Sequence, residues 1–89
     1  MVTIRELFHK LGNKHNLVTV GCGATEEIVE QCLKEKGLSQ TLKDNLSEIR
    51  KNLEQIIKEA LEADRITNEL HDRIYKIIDP DTGKPKGSI

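Results

Sequence analysis

The feature that most constrains the fold is a set of apolar or small residues that recur in alternating steps of four and three along the second half of the chain. This spacing places one continuous stripe along an α-helix, as in coiled coils and helix bundles. Ser39 suits a helix N-cap, and Asp79 suits a helix stop because a residue before proline avoids helical geometry. We therefore predict a helix over about residues 40–78. The stripe consists of Leu42, Leu46, Ile49, Leu53, Ile56, Ala60, Ala63, Thr67, Leu70, Ile74 and Ile77.

The first half carries a weaker stripe with the same steps, which predicts another helix over about residues 3–36. Thr3 and Glu6 form a T-x-x-E capping box at its start. Gly37 suits the C-terminal cap that would end it. Together the two predicted helices define an all-α fold, an antiparallel two-helix hairpin. The stripe of the first helix consists of Ile4, Phe8, Leu11, His15, Val18, Cys22, Thr25, Val29 and Cys32.

The apolar stripes also predict how hairpins associate. A hairpin that turns near residue 38 pairs residues whose numbers sum to about 75, so His15 faces Ala60 and Phe8 faces Thr67. Further apolar residues widen both stripes beyond what one helix–helix contact covers. A homodimer of hairpins covers them, so the sequence predicts a four-helix bundle. The flanking apolar residues are Leu7, Leu17, Ile28, Leu33, Ile57, Leu61 and Ile66.

The segment "VTVGCGAT", residues 18–25, permits a different prediction. It resembles the first glycine-rich motif of Rossmann-type methyltransferases, and the β-branched residues 18–20 favour a strand. Each glycine inside a helix costs roughly 1 kcal/mol relative to alanine. A parallel-sheet cofactor fold needs several βαβ units, however, and the sequence contains no second strand pattern. The helix is therefore favoured, with a kink or fraying at residues 21–25 and with Gly21 and Gly23 allowing close helix approach.

Composition narrows the class of protein further. In 89 residues, 14 Lys and Arg nearly balance 15 Asp and Glu, which argues against a nucleic-acid-binding surface. No apolar run approaches the length of a membrane span, and the N-terminus lacks a signal-peptide pattern. We therefore expect a cytoplasmic protein with no membrane partner, in which Cys22 and Cys32 are reduced. Residues 79–89 are polar and rich in proline and glycine, and we expect a flexible tail there.

His9 is the residue most suggestive of chemistry. It lies one residue from Phe8, about 100° around the helix, and should therefore project at the surface. The surrounding segment "FHKLGNKHNLVTV" resembles the H-box of the dimerisation and histidine-phosphotransfer (DHp) domain of two-component sensor histidine kinases. Its pattern is a histidine, an acidic residue, two variable positions, Asn or Thr, and then apolar residues. That domain is a two-helix hairpin that dimerises into a four-helix bundle.

The resemblance implies roles for individual residues. His9 would be the phosphoacceptor, and Asn13 would orient a water molecule or a γ-phosphate. Lys10 and Lys14 would lie near the phosphoryl oxygens, and Arg65 would reach the same level from the second helix, next to Asp64 and Asn68. The partner would be a response-regulator receiver domain with its aspartate and Mg²⁺, while this chain itself would bind no cofactor or metal.

The chain also departs from the family pattern. Lys10 stands where the family has the acidic residue that assists attack on ATP, and the glycine after the H-box comes one residue late, at Gly21. No ATP-binding domain follows, so we expect a histidine phosphotransferase rather than a self-sufficient kinase. The alternative is a helical-hairpin dimerisation module without phosphotransfer, in which His9 is an ordinary solvated side chain.

Overall fold

The computed structural model describes residues 2–87 and contains two α-helices, α1 (Ile4–Leu33) and α2 (Gln40–Ile77). The helices run antiparallel and form a hairpin that measures 72 Å along its longest axis and 20 by 14 Å across. The predicted all-α hairpin is therefore confirmed. Within the described residues, neither helix combines the length and the apolar character that crossing a membrane requires.

Both helices begin where their capping residues predict. The hydroxyl of Thr3 accepts a hydrogen bond from the amide of Glu6 at 3.1 Å. The hydroxyl of Ser39 accepts one from the amide of Leu42 at 3.2 Å. Each bond satisfies an amide that has no carbonyl partner inside the helix, which is what makes these residues effective N-caps.

The end of α1 differs from the prediction of residue 36. The helix ends at Leu33, and the amides of Lys34 and Glu35 bond back to carbonyls three residues earlier. Such tightened bonds satisfy the last carbonyls of a helix. Gly37 does adopt the left-handed conformation, with φ of 81°. It reverses the chain direction between the helices instead of capping α1, so the helix is three residues shorter than predicted.

The glycine-rich segment is helical. Residues 18–25 lie inside α1 without interruption, so the strand-and-turn alternative is wrong and the predicted fraying does not occur. A Cβ atom built on Gly21 or Gly23 would meet nothing within 4 Å, so these glycines do not mark a close approach of the helices.

The pairing of the helices is shifted by one turn from the prediction. His15 contacts Asp64 and Phe8 contacts His71, and each pair of numbers sums to 79 rather than about 75. Side chains on a helix lean toward its N-terminus. In an antiparallel pair, contacting residues therefore lie farther along both chains than residues whose Cα atoms are level. This lean accounts for part of the shift.

The hairpin buries little apolar surface. Among the described residues of the two helices, Val29 is the one apolar side chain that is buried, with 6% of its surface exposed. A row of apolar residues on α2, separated by seven residues or, between Ile56 and Leu70, by fourteen, remains 44% to 61% exposed. We call them the heptad stripe: Leu42, Ile49, Ile56, Leu70 and Ile77.

Residues 78–87, the C-terminal loop, fold back beside the start of α1. The amide of Asp79 donates to the carbonyl of Lys84 at 2.8 Å, and its carboxylate accepts from the amides of Asp81 and Thr82. Pro80 is buried, and its carbonyl accepts a hydrogen bond from the amide of Arg5 at 3.1 Å. The flexibility expected of residues 79–89 stays a prediction, and residues 88 and 89 lie outside the described part of the chain.

Candidate functional site

His9 lies in a groove between the two helices, near the end of the hairpin that carries the C-terminal loop. The groove, which we call the His9 groove, has a volume of about 250 Å³. The imidazole of His9 is solvent-exposed at its edge. The lining residues are Arg5, Phe8, His9 and Gly12 from α1 and Asp64, Thr67, Asn68, His71 and Tyr75 from α2.

Helical periodicity brings these side chains together. On α1, Arg5, His9 and Gly12 follow at intervals of four and three, so they share one helix face. The lining residues of α2 are also spaced by fours and threes. The N-cap at Thr3 starts α1 with Arg5 in its first turn, which places His9 one turn further in. Asp64 and Asn68 line the same groove as His9.

Aromatic contacts form one wall of the His9 groove. The ring of His71 stands edge-on to Phe8, with centroids 5.1 Å apart, and lies 3.8 Å from the ring of Tyr75. The guanidinium of Arg5 lies 5.6 Å from the centroid of Tyr75, within the range of a cation–π contact. These packed rings hold Arg5 and the first turns of α1 against α2.

Arg5 is also held by the C-terminal loop. Its Nε donates to Oδ1 of Asp81 at 2.9 Å, and both side chains are more than half exposed. The hydrogen bond that Arg5 donates to the Asp81 carboxylate raises the pKa of Arg5 above its usual value. Arg5 therefore joins the N-terminus of α1, the aromatic wall and the C-terminal loop at the edge of the His9 groove.

A second concavity flanks His9 on its outer side and contains several charges. It has a volume of about 460 Å³ and is lined by Arg5, Glu6, His9 and Lys10. Two cations and one carboxylate thus surround the exposed imidazole. This arrangement presents a nucleophilic ring nitrogen beside groups that attract an anion, which suits phosphoryl chemistry.

His15 occupies a different position. Its side chain is 18% exposed, and Nδ1 lies 3.1 Å from Oδ1 of Asp64 across the hairpin. It lines an adjoining groove of about 310 Å³ that also contains Asn16, Thr19 and Ala60. Because its side chain is only 18% exposed, His15 is less accessible than His9 to a partner protein.

The structure brings only some of the predicted site residues together. Lys10 flanks His9, whereas Asn13 and Lys14 are exposed on α1 and line none of the concavities described above. Arg65 lies outside the His9 groove. It is paired instead with Glu62 at 2.7 Å and Glu69 at 3.6 Å on the surface of α2. The hydrogen bond between Arg65 and Glu62 raises the pKa of the arginine and lowers the pKa of the carboxyl group.

Arg5 and His71 are among the lining residues that sequence reasoning missed. Arg5 precedes His9 by four residues, a spacing that places both on one face. His71 follows Thr67 by four and precedes Ile74 by three, which is the spacing of the apolar stripe. The helical spacing that places each of these residues beside the groove was therefore visible in the sequence.

Within residues 2–87, no group of three or more His, Cys, Asp or Glu side chains is arranged to hold a metal ion. Cys22 and Cys32 are free thiols. Comparison of the chain with known protein families, curated protein sequences and solved structures gives no match.

Proposed function

We propose that this chain is a histidine phosphotransfer module, in which His9 exchanges a phosphoryl group with the aspartate of a response-regulator receiver domain. The observation that carries the proposal is the exposed imidazole of His9 on a regular helix, at the edge of an interhelix groove and beside Arg5 and Lys10. In-line phosphoryl transfer depends mainly on positioning and charge stabilisation, so a rigidly mounted histidine can provide one half of the site.

The transfer needs no cofactor bound to this chain. The lone pair of the free ring nitrogen of His9 attacks phosphorus in the aspartyl phosphate. The P–O bond to the aspartate breaks, and its electron pair leaves with the carboxylate. The other ring nitrogen keeps its proton. Mg²⁺ on the receiver would neutralise phosphoryl charge from the opposite side.

The active form in this proposal is a homodimer that forms a four-helix bundle. The heptad stripe supports it, because its regular seven-residue spacing is the pattern that packs against another helix. On α1, Leu11 and Val18 are also seven residues apart and are 40% and 42% exposed. A second copy of the hairpin would cover both the heptad stripe on α2 and these two residues on α1. His9 lies about 160° around α1 from Leu11, so it would remain accessible to a receiver.

The proposed activity is phosphotransfer without autophosphorylation from ATP, and the proposed location is the cytoplasm. Lys10 supplies a cation where the related kinases have an acidic residue, which favours holding a phosphoryl group over activating the imidazole against ATP.

Phosphoryl transfer from a panel of pre-phosphorylated receiver domains tests the proposal. We expect acid-labile label on the native chain and none on His9→Gln. His71→Gln serves as the control, because it removes an imidazole from the same groove without removing the nucleophile. Equal labelling of native protein and His9→Gln, or no label from any receiver, would contradict the proposal.

The second candidate is a structural dimerisation module. It is favoured by the heptad stripe, which by itself explains why the chain would form a helical dimer. Under this hypothesis His9→Gln changes neither dimerisation nor any partner interaction. The same labelling experiment therefore separates the two functions.

A further inference from the structure

We infer that Arg5 binds the phosphoryl group carried by His9, and that it leaves Asp81 in order to do so. The inference rests on the proposed function, since it concerns the phosphorylated state of the same histidine. It assigns Arg5 the role that the sequence had suggested for Arg65. It also makes the contact between Arg5 and the C-terminal loop responsive to phosphorylation.

The geometry of α1 places Arg5 within reach of His9. The two residues are four apart on one helix face. Side chains on a helix lean toward its N-terminus, so the imidazole of His9 lies over the turn that carries Arg5. Both residues line the His9 groove and the flanking concavity. A phosphoryl group on His9 would therefore enter space that the arginine already borders.

The present partner of Arg5 is exchangeable. The ion pair with Asp81 is solvent-exposed, with 57% and 60% of the two side chains accessible. Exposed ion pairs contribute little, whereas arginine binds phosphate oxygens in a charge-assisted, often bidentate geometry. A phosphoryl group bears more charge than one carboxylate, and it would be attached one helical turn away. It can therefore compete for the guanidinium.

If Arg5 moves from Asp81 to the phosphoryl group, the C-terminal loop is bound less firmly to α1. Asp81 would lose its side-chain partner, while the hydrogen bond from the amide of Arg5 to the carbonyl of Pro80 would remain. The loop's internal bonds to the carboxylate of Asp79 do not involve Arg5. We therefore expect the loop to keep its turn but to loosen from α1 when His9 is phosphorylated.

Phosphorylation by phosphoramidate tests this inference without a receiver domain. The free ring nitrogen of His9 attacks phosphorus, the P–N bond breaks, and ammonia leaves with the electron pair. The leaving nitrogen already carries its three protons, and the other ring nitrogen of His9 keeps its own. The rate of phosphorylation at His9 is followed by ³¹P NMR and peptide mapping.

Two variants should change that rate in opposite directions. Arg5→Gln should slow it about threefold, the scale of one exposed ion pair, and Arg5→Lys should restore part of the loss. Asp81→Asn should raise the rate, because it frees Arg5. Arg73→Gln, which removes another exposed, ion-paired arginine, should match the native chain. If the Arg5–Asp81 pair only holds the loop, Arg5→Gln and Asp81→Asn will change the rate in the same direction.

The loop provides a second readout. In the native chain, phosphorylation of His9 should shift the amide resonances of Asp81 and Thr82, and in Arg5→Gln it should not. Equal rates in native protein, Arg5→Gln and Asp81→Asn would overturn the inference and leave the receiver experiment unaffected. Failure of every receiver to label the native chain would instead overturn the proposed function.

Discussion

At the scale of single residues, two aspartates organise the structure, one across the hairpin and one within the C-terminal loop. Asp64 hydrogen-bonds His15 across the hairpin, and Asp79 organises the C-terminal loop through two backbone amides. Asp64 also lines the His9 groove, so the contact that sets the pairing of the helices borders the candidate site. Local side-chain contacts thus determine how the site residues face one another.

The contact between His15 and Asp64 should be measurable as a coupling. We expect His15→Gln and Asp64→Asn each to lower the free energy of unfolding by about 1 kcal/mol, the usual net contribution of a hydrogen bond. The double variant should lose less than the sum, because the first change already removes the contact. Chemical denaturation of the four proteins gives the coupling energy. Additivity within about 0.3 kcal/mol would contradict a direct interaction.

Asp79 should make the C-terminal loop sensitive to acid. Hydrogen bonds from the amides of Asp81 and Thr82 lower its pKa below the ordinary value of 3.8. A lowered folded-state pKa means that the stabilisation is complete above that ordinary value and is lost as pH falls through the folded-state pKa. The amide resonances of Asp81 and Thr82 should therefore move only below about pH 4. Asp79→Asn keeps an acceptor oxygen but does not titrate, so a similar shift in that variant would contradict the assignment.

The sequence predicted part of the candidate site, for identifiable reasons. His9 was predicted at the surface because its angular distance from Phe8 depends only on helix geometry. Matching residues by level ignores which face a side chain takes, and Arg65 pairs with Glu62 and Glu69 on the surface of α2. The contact between Arg5 and Asp81 joins opposite ends of the chain, and no local pattern could indicate it.

At the scale of the helices, capping and spacing determined most of the fold. The N-caps at Thr3 and Ser39 set the starts correctly, since each needs only a hydroxyl and an amide three residues on. The end of α1 was wrong because Gly37 marks a left-handed residue without specifying how far before it the helix stops. The glycines of α1 lower its helical propensity, yet the helix persists.

Replacing one of those glycines should stabilise α1. A Cβ atom on Gly23 meets nothing within 4 Å, so Gly23→Ala should raise the free energy of unfolding by about 1 kcal/mol. Gly37→Ala is the opposite control, because φ of 81° is unfavourable for alanine, and it should lower stability. Thermal unfolding followed by circular dichroism measures both. A destabilised Gly23→Ala would show that this position needs glycine for a contact outside the single hairpin.

At the scale of the whole molecule, the elongated hairpin leaves its heptad stripe bare, which is the basis for expecting a dimer. Ile56→Lys should raise the dimer dissociation constant at least about tenfold, since burying an isoleucine contributes about 1.5–3 kcal/mol. Val20→Lys is the control, because Val20 is 61% exposed and belongs neither to the stripes nor to the flanking apolar residues. Sedimentation equilibrium measures both constants. Equal weakening by the two changes, or a native monomer at all concentrations, would contradict the four-helix bundle.

The central claim, that His9 is the phosphoacceptor, is tested most directly by locating the phosphoryl group after transfer from a receiver domain. Mass spectrometry of tryptic peptides prepared at neutral to alkaline pH distinguishes the three histidines, because cleavage after Lys10 and Lys14 separates His9 from His15 and His71 lies far along the chain. The account predicts the phosphoryl group on His9, with His15, whose side chain is 18% exposed, left unmodified. A phosphoryl group on His15 or His71, or on no histidine, would contradict it.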